Sequence, residues 1–259
     1  MGTDIHMLLQ LQAEETGAWS FQSVPCYECK GSGRSEYRRK EPLPKRSGKE
    51  ILRYRMECRC CQGEGRVWGY GDRNYDLFAQ LADVRNGGEL KPVVPKRRGL
   101  PPGVNVQLAE LEREHEAERL KLGLEWEDFE REPSPYLGDH SFHWLTLAEL
   151  LAYDRGRHVY QQALMYAEDF ERWDGEGSPW KVASEMLTYT SERGRVWTPE
   201  KWRQHRQTHE LGPKRRTLIE IEYLQTYEEA APTFWRQFVP LLQALGEPGR
   251  VRIVMGFDS

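Results

Sequence analysis

Apolar and polar positions along this chain fall into short runs that predict strands and helices in mixture. Met7-Leu8-Leu9-Gln10-Leu11-Gln12 is a strand-like run reaching Ala13, and Ala18-Trp19-Ser20-Phe21 is a second beyond the Thr16-Gly17 turn. Leu77, Phe78, Leu81, Ala82 and Val84 recur at helical spacing and predict a helix over 74–85, capped by Asp72 and ended by Asn86-Gly87-Gly88. A charged helix over 105–122 carries a thin stripe of Val106, Leu108, Leu111 and Leu120. Thr146-Leu147-Ala148-Glu149 spells a capping box, in which hydroxyl and carboxylate satisfy each other's backbone donors, and opens a helix through Tyr153. Helical spacing resumes from His158 to Trp173, and Ser178-Pro179 and Thr198-Pro199 each set a cap before a first-turn proline. Thr217 to Leu224 reads as a strand, Thr233 to Leu245 as an apolar-faced helix, and Arg250 to Phe257 as a strand of high β-propensity. The last run is expected to pair with the first. The fold class is therefore α+β, a small sheet joining the N- and C-terminal strands and packed with several helices.

Residues 26–65 interrupt this pattern. Cys26-Tyr27-Glu28-Cys29-Lys30-Gly31-Ser32-Gly33 is followed, 24 residues later, by Cys58-Arg59-Cys60-Cys61-Gln62-Gly63-Glu64-Gly65, so the phrase C-x-x-C-x-G-x-G occurs twice. Two C-x-x-C turns present four thiolates, a set that suits one tetrahedral zinc ion, and the glycines allow tight turns behind the sulfurs. The repeated spacing selects Cys26, Cys29, Cys58 and Cys61 as ligands and leaves Cys60 out. Two disulfides with one thiol left over are the alternative; an odd cysteine count and the absence of a basic, apolar leader at Met1 to His6 favour metal. The arms before Pro42-Leu43-Pro44 and around Ile51 to Arg55 predict an antiparallel hairpin. The expected organisation is a body of 1–25 and 66–259 with an inserted zinc-binding β-hairpin at 26–65.

Composition adds an asymmetry. The 259 residues carry a net charge of −4, yet Glu28 to Arg66 holds twelve Lys and Arg against six Asp and Glu, leaving the remainder at −10. Arg38, Arg39 and Lys40 make the hairpin a candidate contact for nucleic acid or another acidic partner. Mean hydropathy of −0.79 and the lack of a long apolar run give no membrane segment. Twenty-nine aromatic residues argue for a folded chain.

The cysteine phrase resembles the repeats of DnaJ-type chaperones, in which two such repeats share each zinc. Those proteins carry four repeats and a His-Pro-Asp tripeptide; this chain has two repeats and no such tripeptide, so the resemblance implies the clip without the chaperone activity. A second resemblance spans most of the body. Met1-Gly2-Thr3-Asp4-Ile5-His6, Arg73-Asn74-Tyr75-Asp76-Leu77-Phe78, Gly99-Leu100-Pro101, His140-Ser141-Phe142-His143-Trp144-Leu145 and Val254-Met255-Gly256-Phe257-Asp258 run in the order seen in bacteriophage and prophage proteins that begin Met-Gly-x-Asp-Ile-His. It implies a phage-related origin and residence in the cytoplasm of an infected host.

Chemistry-bearing residues outside the cysteines are sparse. Asp4 and His6, two apart at a strand start, share a face and suit a divalent metal. Asp-x-His resembles the opening of calcineurin-like phosphoesterase sites, with Gly71-Asp72-Arg73-Asn74-Tyr75-Asp76 and Gly138-Asp139-His140 in the expected order but each departing from the family's motif. Asp72, Asp139, His140 and His143 complete the candidate catalytic set, and Arg73, Asn74, Arg85 and Asn86 are candidate ligand contacts. His205 and His209 stand four apart on a strongly charged helix and read as a solvated face. No P-loop, dinucleotide fingerprint or nucleophile elbow is present. The leading expectation is a non-enzymatic accessory protein holding one structural zinc and binding a host protein or a small nucleotide-like ligand. A metal-dependent phosphate-ester hydrolase and a nucleic-acid binder are the alternatives.

Overall fold

The computed structural model describes residues 3–40, 51–86, 90–121, 137–179, 182, 195–208 and 217–258. Contacts divide the chain into two units, Met1–Tyr153 with Ala231–Ser259, and Asp154–Ala230. This division differs from the one drawn on sequence, which set 26–65 apart from a single body.

In the first unit the central strands are β1 (Ile5–Gln12) and β12 (Val251–Phe257), antiparallel from Ile5 opposite Phe257 to Leu11 opposite Val251. The expected pairing of the two terminal runs is therefore present. The outer strands are β2 (Trp19–Gln22), on β1, and β8 (His140–Thr146), on β12; the short β7 (Gly71–Asp72) pairs with the start of β1. Alternation sends Ile5, Met7, Leu9, Ile253, Met255 and Phe257 into one core and Leu8 and Val254 into another. The first core is completed by α1 (Tyr75–Ala82), α3 (Leu147–Ala152) and Phe234, Trp235 and Phe238 from the π-helical turn that leads into α7 (Val239–Gln243). The second is covered by α2 (Val104–Lys121) through Val104 and Leu108. Both faces are shielded, so every residue of β12 is buried.

The capping box forms as expected: Thr146 N–H donates to Glu149 Oε2 at 2.9 Å and Glu149 N–H to Thr146 Oγ1 at 3.2 Å. The start of α1 differs from expectation. Asp72 lies in β7 and accepts from Tyr70 O–H and Arg73 N–H, both at 2.7 Å, while Asn74 Oδ1 caps α1 by accepting from Leu77 N–H at 3.0 Å. Asp83, at φ 55°, ends the helix before Asn86.

The second unit is built on a sheet of β9 (His158–Tyr166), β10 (Arg195–Trp197) and β11 (Thr217–Thr226), with β11 in the middle, antiparallel to β9 and parallel to β10. Residues 158–173, expected to be helical, instead form β9 and the single turn α4 (Ala167–Phe170). Pairing with β11 from Leu218 opposite Tyr166 to Thr226 opposite His158 overrides the helical spacing. Thr198-Pro199 opens α5 (Pro199–Thr208), and α6 (Tyr227–Ala230) follows β11. The helix expected after Ser178-Pro179 and His209 fall largely or wholly outside the described residues. Ala163, Met165, Trp202, Ile219 and Ile221 form this unit's core. Among the described residues, no helix is long and apolar enough to cross a membrane.

Candidate metal centre

The two cysteine phrases fold into matching turns. Lys30, Gly31 and Gly33 have φ of 53°, 83° and 70°, and Gln62, Gly63 and Gly65 have 50°, 88° and 75°. This left-handed run bends each chain back so that Gly33 N–H meets Cys29 Sγ at 3.2 Å and Gly65 N–H meets Cys61 Sγ at 3.3 Å. The turns also clasp one another: Cys26 N–H donates to Gly65 O at 2.8 Å and Cys58 N–H to Gly33 O at 2.9 Å. A Cβ at Gly33 would collide with the Gly63 carbonyl, and one at Gly65 with the Gly31 carbonyl.

This clasp brings the sulfurs of Cys26, Cys29, Cys58 and Cys61 within 4.8 Å of one another, all four residues buried. Cys26 Sγ lies 3.8 Å from Cys58 Sγ, and Cys29 Sγ 3.7 Å from Cys61 Sγ. Four sulfurs at roughly 2.3 Å from a tetrahedral ion stand about 3.8 Å apart, whereas a disulfide needs about 2.05 Å. The four buried cysteines thus fit a metal ion and do not form disulfides. Burial works against ionisation at each; at Cys29 the Gly33 N–H and the neighbouring thiols outweigh it and bring the pKa down to about 7. Cys60 is half-buried and outside this group.

The site belongs to the main core. β3 (Val24–Pro25) and β6 (Arg66–Val67) pair at its base, and all four cysteines join Ile5, Tyr70, Phe234 and Phe238 in one cluster. Tyr27, between the first two cysteines, lies 5.2 Å from Tyr70 and 5.8 Å edge-on from Phe238, centroid to centroid. From the turns extends an antiparallel ribbon, β4 (Arg34–Lys40) with β5 (Ile51–Glu57). Its register sets Arg34, Glu36, Arg38 and Lys40 opposite Glu57, Arg55, Arg53 and Ile51, and Ser35, Tyr37 and Arg39 opposite Met56, Tyr54 and Leu52.

The remaining candidate residues gather in part at the β1 start and β12 end. Asp4 holds Arg73 through two bonds, Nε to Oδ1 at 2.6 Å and Nη2 to Oδ2 at 2.8 Å. His6 Nε2 lies 3.1 Å from Asp258 Oδ2, whose Oδ1 accepts from Asp4 N–H at 2.6 Å. His140 Nε2 reaches the Asp258 carbonyl at 3.3 Å and Asp139 Oδ1 at 3.9 Å. Partial burial opposes ionisation of Asp258, but the Asp4 N–H and His6 hold it below its ordinary range. Arg85 donates to Thr3 Oγ1, Asn74 caps α1, and Asn86 bridges Asp83 and the Leu90 carbonyl. Asp72 is engaged by Tyr70. Among the described residues, the four cysteines are the one group of three or more potential ligands brought within reach of a single ion. Asp258 was missed as a site residue, although the expected pairing of β1 with β12 would have set it beside Asp4.

His143 stands apart from this cluster, fully buried on β8 with its Nδ1 accepting from Arg98 N–H at 3.0 Å. Its Nε2 has no partner among the described residues. Burial, reinforced by Arg98, lowers its pKa from 6.5 to about 4. The fold therefore favours the neutral ring. The associated stability is fully present above the unfolded value near 6.5 and is lost as pH falls toward 4. Between pH 7.5 and 5 this loss is about 2 kcal/mol. Urea unfolding across that range should show a His143→Gln variant with a pH dependence shallower by this amount; parallel curves would contradict it.

Compared with known protein families, curated proteins and solved structures, the chain matches none.

Proposed function

We propose that this chain is a non-enzymatic binding protein in which one structural zinc ion fixes the base of a ribbon that contacts a polyanion, nucleic acid being the fitting class. Four thiolates fill a tetrahedral zinc, leaving no position open for substrate, so the ion acts on folding and not on chemistry. The observation that supports the contact is the β4–β5 register, which sets Arg38 directly opposite Arg53 within four alternate ladder pairs that hold five Lys and Arg and two Glu. Like charges directly opposite one another are destabilising in an isolated ribbon, and phosphates relieve that repulsion. The same register pairs Tyr37 with Tyr54, a residue type on which bases stack.

The hydrolase alternative draws no support from Asp4 and His6, which are held by Arg73 and Asp258. The phage resemblance favours a host-protein partner, which makes a different prediction. Polyanion binding to fluorescent single- and double-stranded oligonucleotides should weaken with salt, with a log–log slope between about −3 and −5 for five contacts. Arg38→Gln with Arg53→Gln should weaken it at least about tenfold and flatten the slope by about 2. Absence of oligonucleotide binding at low salt would reject this reading in favour of a protein partner.

A further inference from the structure

Residues 90–103, between α1 and α2, form a strap with no helix or strand of its own, fastened to β8 and α3. Apolar side chains fix both of its ends: Val93 and Val94 pack on the first core, and Leu100 on the second. Val93 N–H also donates to the Gln80 carbonyl at 2.7 Å. Between these anchors the attachment is polar. Arg97 Nη1 donates to Ser141 Oγ at 2.6 Å, while Arg98 grips both oxygens of Glu149 and stacks 4.5 Å from the Trp144 ring centroid. The middle of the strap, 95–99, makes a single backbone hydrogen bond among the described residues, from Arg98 N–H to His143 Nδ1 at 3.0 Å. Gly99, at φ 71° with open space around it, supplies a backbone pivot at the end of that segment.

The bond to His143 fixes the tautomer. An imidazole nitrogen that accepts carries no proton, so the neutral ring holds its hydrogen on Nε2. A second proton can enter only at Nδ1, the atom that holds Arg98. Ring protonation and attachment of the strap therefore exclude each other. The surroundings offer an imidazolium little in return. His143 is fully buried. The strap brings Arg97 and Arg98 to bear on it, β12 sets Met255 opposite, and α1 gives the adjoining core Leu77, Phe78 and Leu81. Glu149 of α3 is the one carboxylate that acts on the ring among the described residues. Its oxygens already accept from Arg98 and from Thr146 N–H and O–H.

We infer that His143 is an acid-sensitive latch: a proton on Nδ1 frees residues 95–99 from β8 while the rest of the first unit stays folded. Burial and Arg98 lower the pKa of the latched ring from 6.5 to about 4. The closed strap is thus fully favoured above 6.5 and loses that advantage as pH falls toward 4. Opening is about thirtyfold more frequent at pH 5 than at pH 7.5. Release bares the Trp144 ring and the Glu149 carboxylate where β8 runs into α3.

The test follows amide hydrogen exchange of the full-length, metal-loaded chain by NMR at pH 7.5 and 5, each rate divided by its intrinsic value. Protection of the Arg98 amide should fall about thirtyfold between the two, and at both should stay below that of Ile253 on the central strand β12. His143→Gln, whose side-chain oxygen accepts the same N–H and does not titrate, should keep Arg98 equally protected at both. His143→Phe, with no acceptor, should leave Arg98 unprotected at either pH and Ile253 still protected. Arg98 protection that does not change with pH in the wild type, or that falls equally in the wild type and His143→Gln, would overturn the latch. Arg98 and Ile253 protected to the same degree at both pH values would also overturn it, because the strap would then open only when the whole unit unfolds.

Discussion

Replacing Cys58 with serine is expected to strip the ion from the chain and to lower its thermal midpoint by 10 °C or more. The reason lies in where the sulfurs sit. Cys58 is fully buried and shares a core cluster with Tyr70, Phe234, Phe238 and Ile5, so loss of the ion opens the centre of the first unit and not a peripheral loop. Structural zinc binding contributes apparent free energies of about 10–16 kcal/mol in small zinc-dependent domains, comparable to or above the whole stability of an ordinary domain at about 5–15 kcal/mol. Even half of that, at about 2–4 °C per kcal/mol for a chain of this size, gives the stated shift. Cys26→Ser and Cys61→Ser should behave alike, because the two turns are equivalent in the clasp. Cys60→Ser is the internal control, since its sulfur stands outside the group, and its midpoint should stay within about 2 °C. Differential scanning calorimetry of the four variants decides the matter; a fall with Cys60→Ser as large as with Cys58→Ser would contradict the assignment of ligands.

Arg252→Ala is expected to cost about 3–5 kcal/mol. Arg252 lies on β12 facing α2, almost fully buried, and makes no ion pair among the described residues. Its guanidinium stacks 3.9 Å from the Trp19 centroid and 5.5 Å from that of Trp144, and its Nε donates to Gln10 Oε1 at 2.8 Å. Gln10 in turn donates to Gln107 Oε1, and Gln107 to the Trp19 carbonyl, each at 2.5 Å. Burial lowers the Arg252 pKa to about 10, so the charge persists at neutral pH and is held by rings and amides alone. Truncation leaves a cavity between two indoles and removes the donor on which buried Gln10 depends. Arg252→Lys should recover only part of the loss, because an ammonium lacks the planar stacking surface. Urea unfolding is the measurement, and a change below about 1 kcal/mol would show that the stack carries little energy.

Several features were legible because they are local or periodic. The capping box at Thr146 needs only four consecutive residues, and the cysteine register follows from one repeated spacing. The pairing of β1 with β12 follows from two apolar runs of high β-propensity. The strand at 158–166 was obscured by its own composition. Gln161, Gln162, Ala163, Leu164 and Met165 favour helix, and the consecutive burial of Ala163 to Met165 erases the alternation that would have marked a strand. Pairing with β11, more than fifty residues away, decided the outcome. Asp72 was misread as a cap because β7 is only two residues long and takes its geometry from β1. The Asp4–Arg73 and His6–Asp258 pairs join residues 69 and 252 apart, so no local pattern announces them.

The central claim is that the four cysteines hold one structural zinc ion and that Asp4 and His6 hold none. Native mass spectrometry with elemental analysis tests it directly, on the wild type, on Asp4→Ala with His6→Ala, and on Cys58→Ser. The account predicts one zinc per chain in the first two and none in the third. A chain without metal, an ion that survives Cys58→Ser, or a second ion lost with Asp4 and His6 would contradict it.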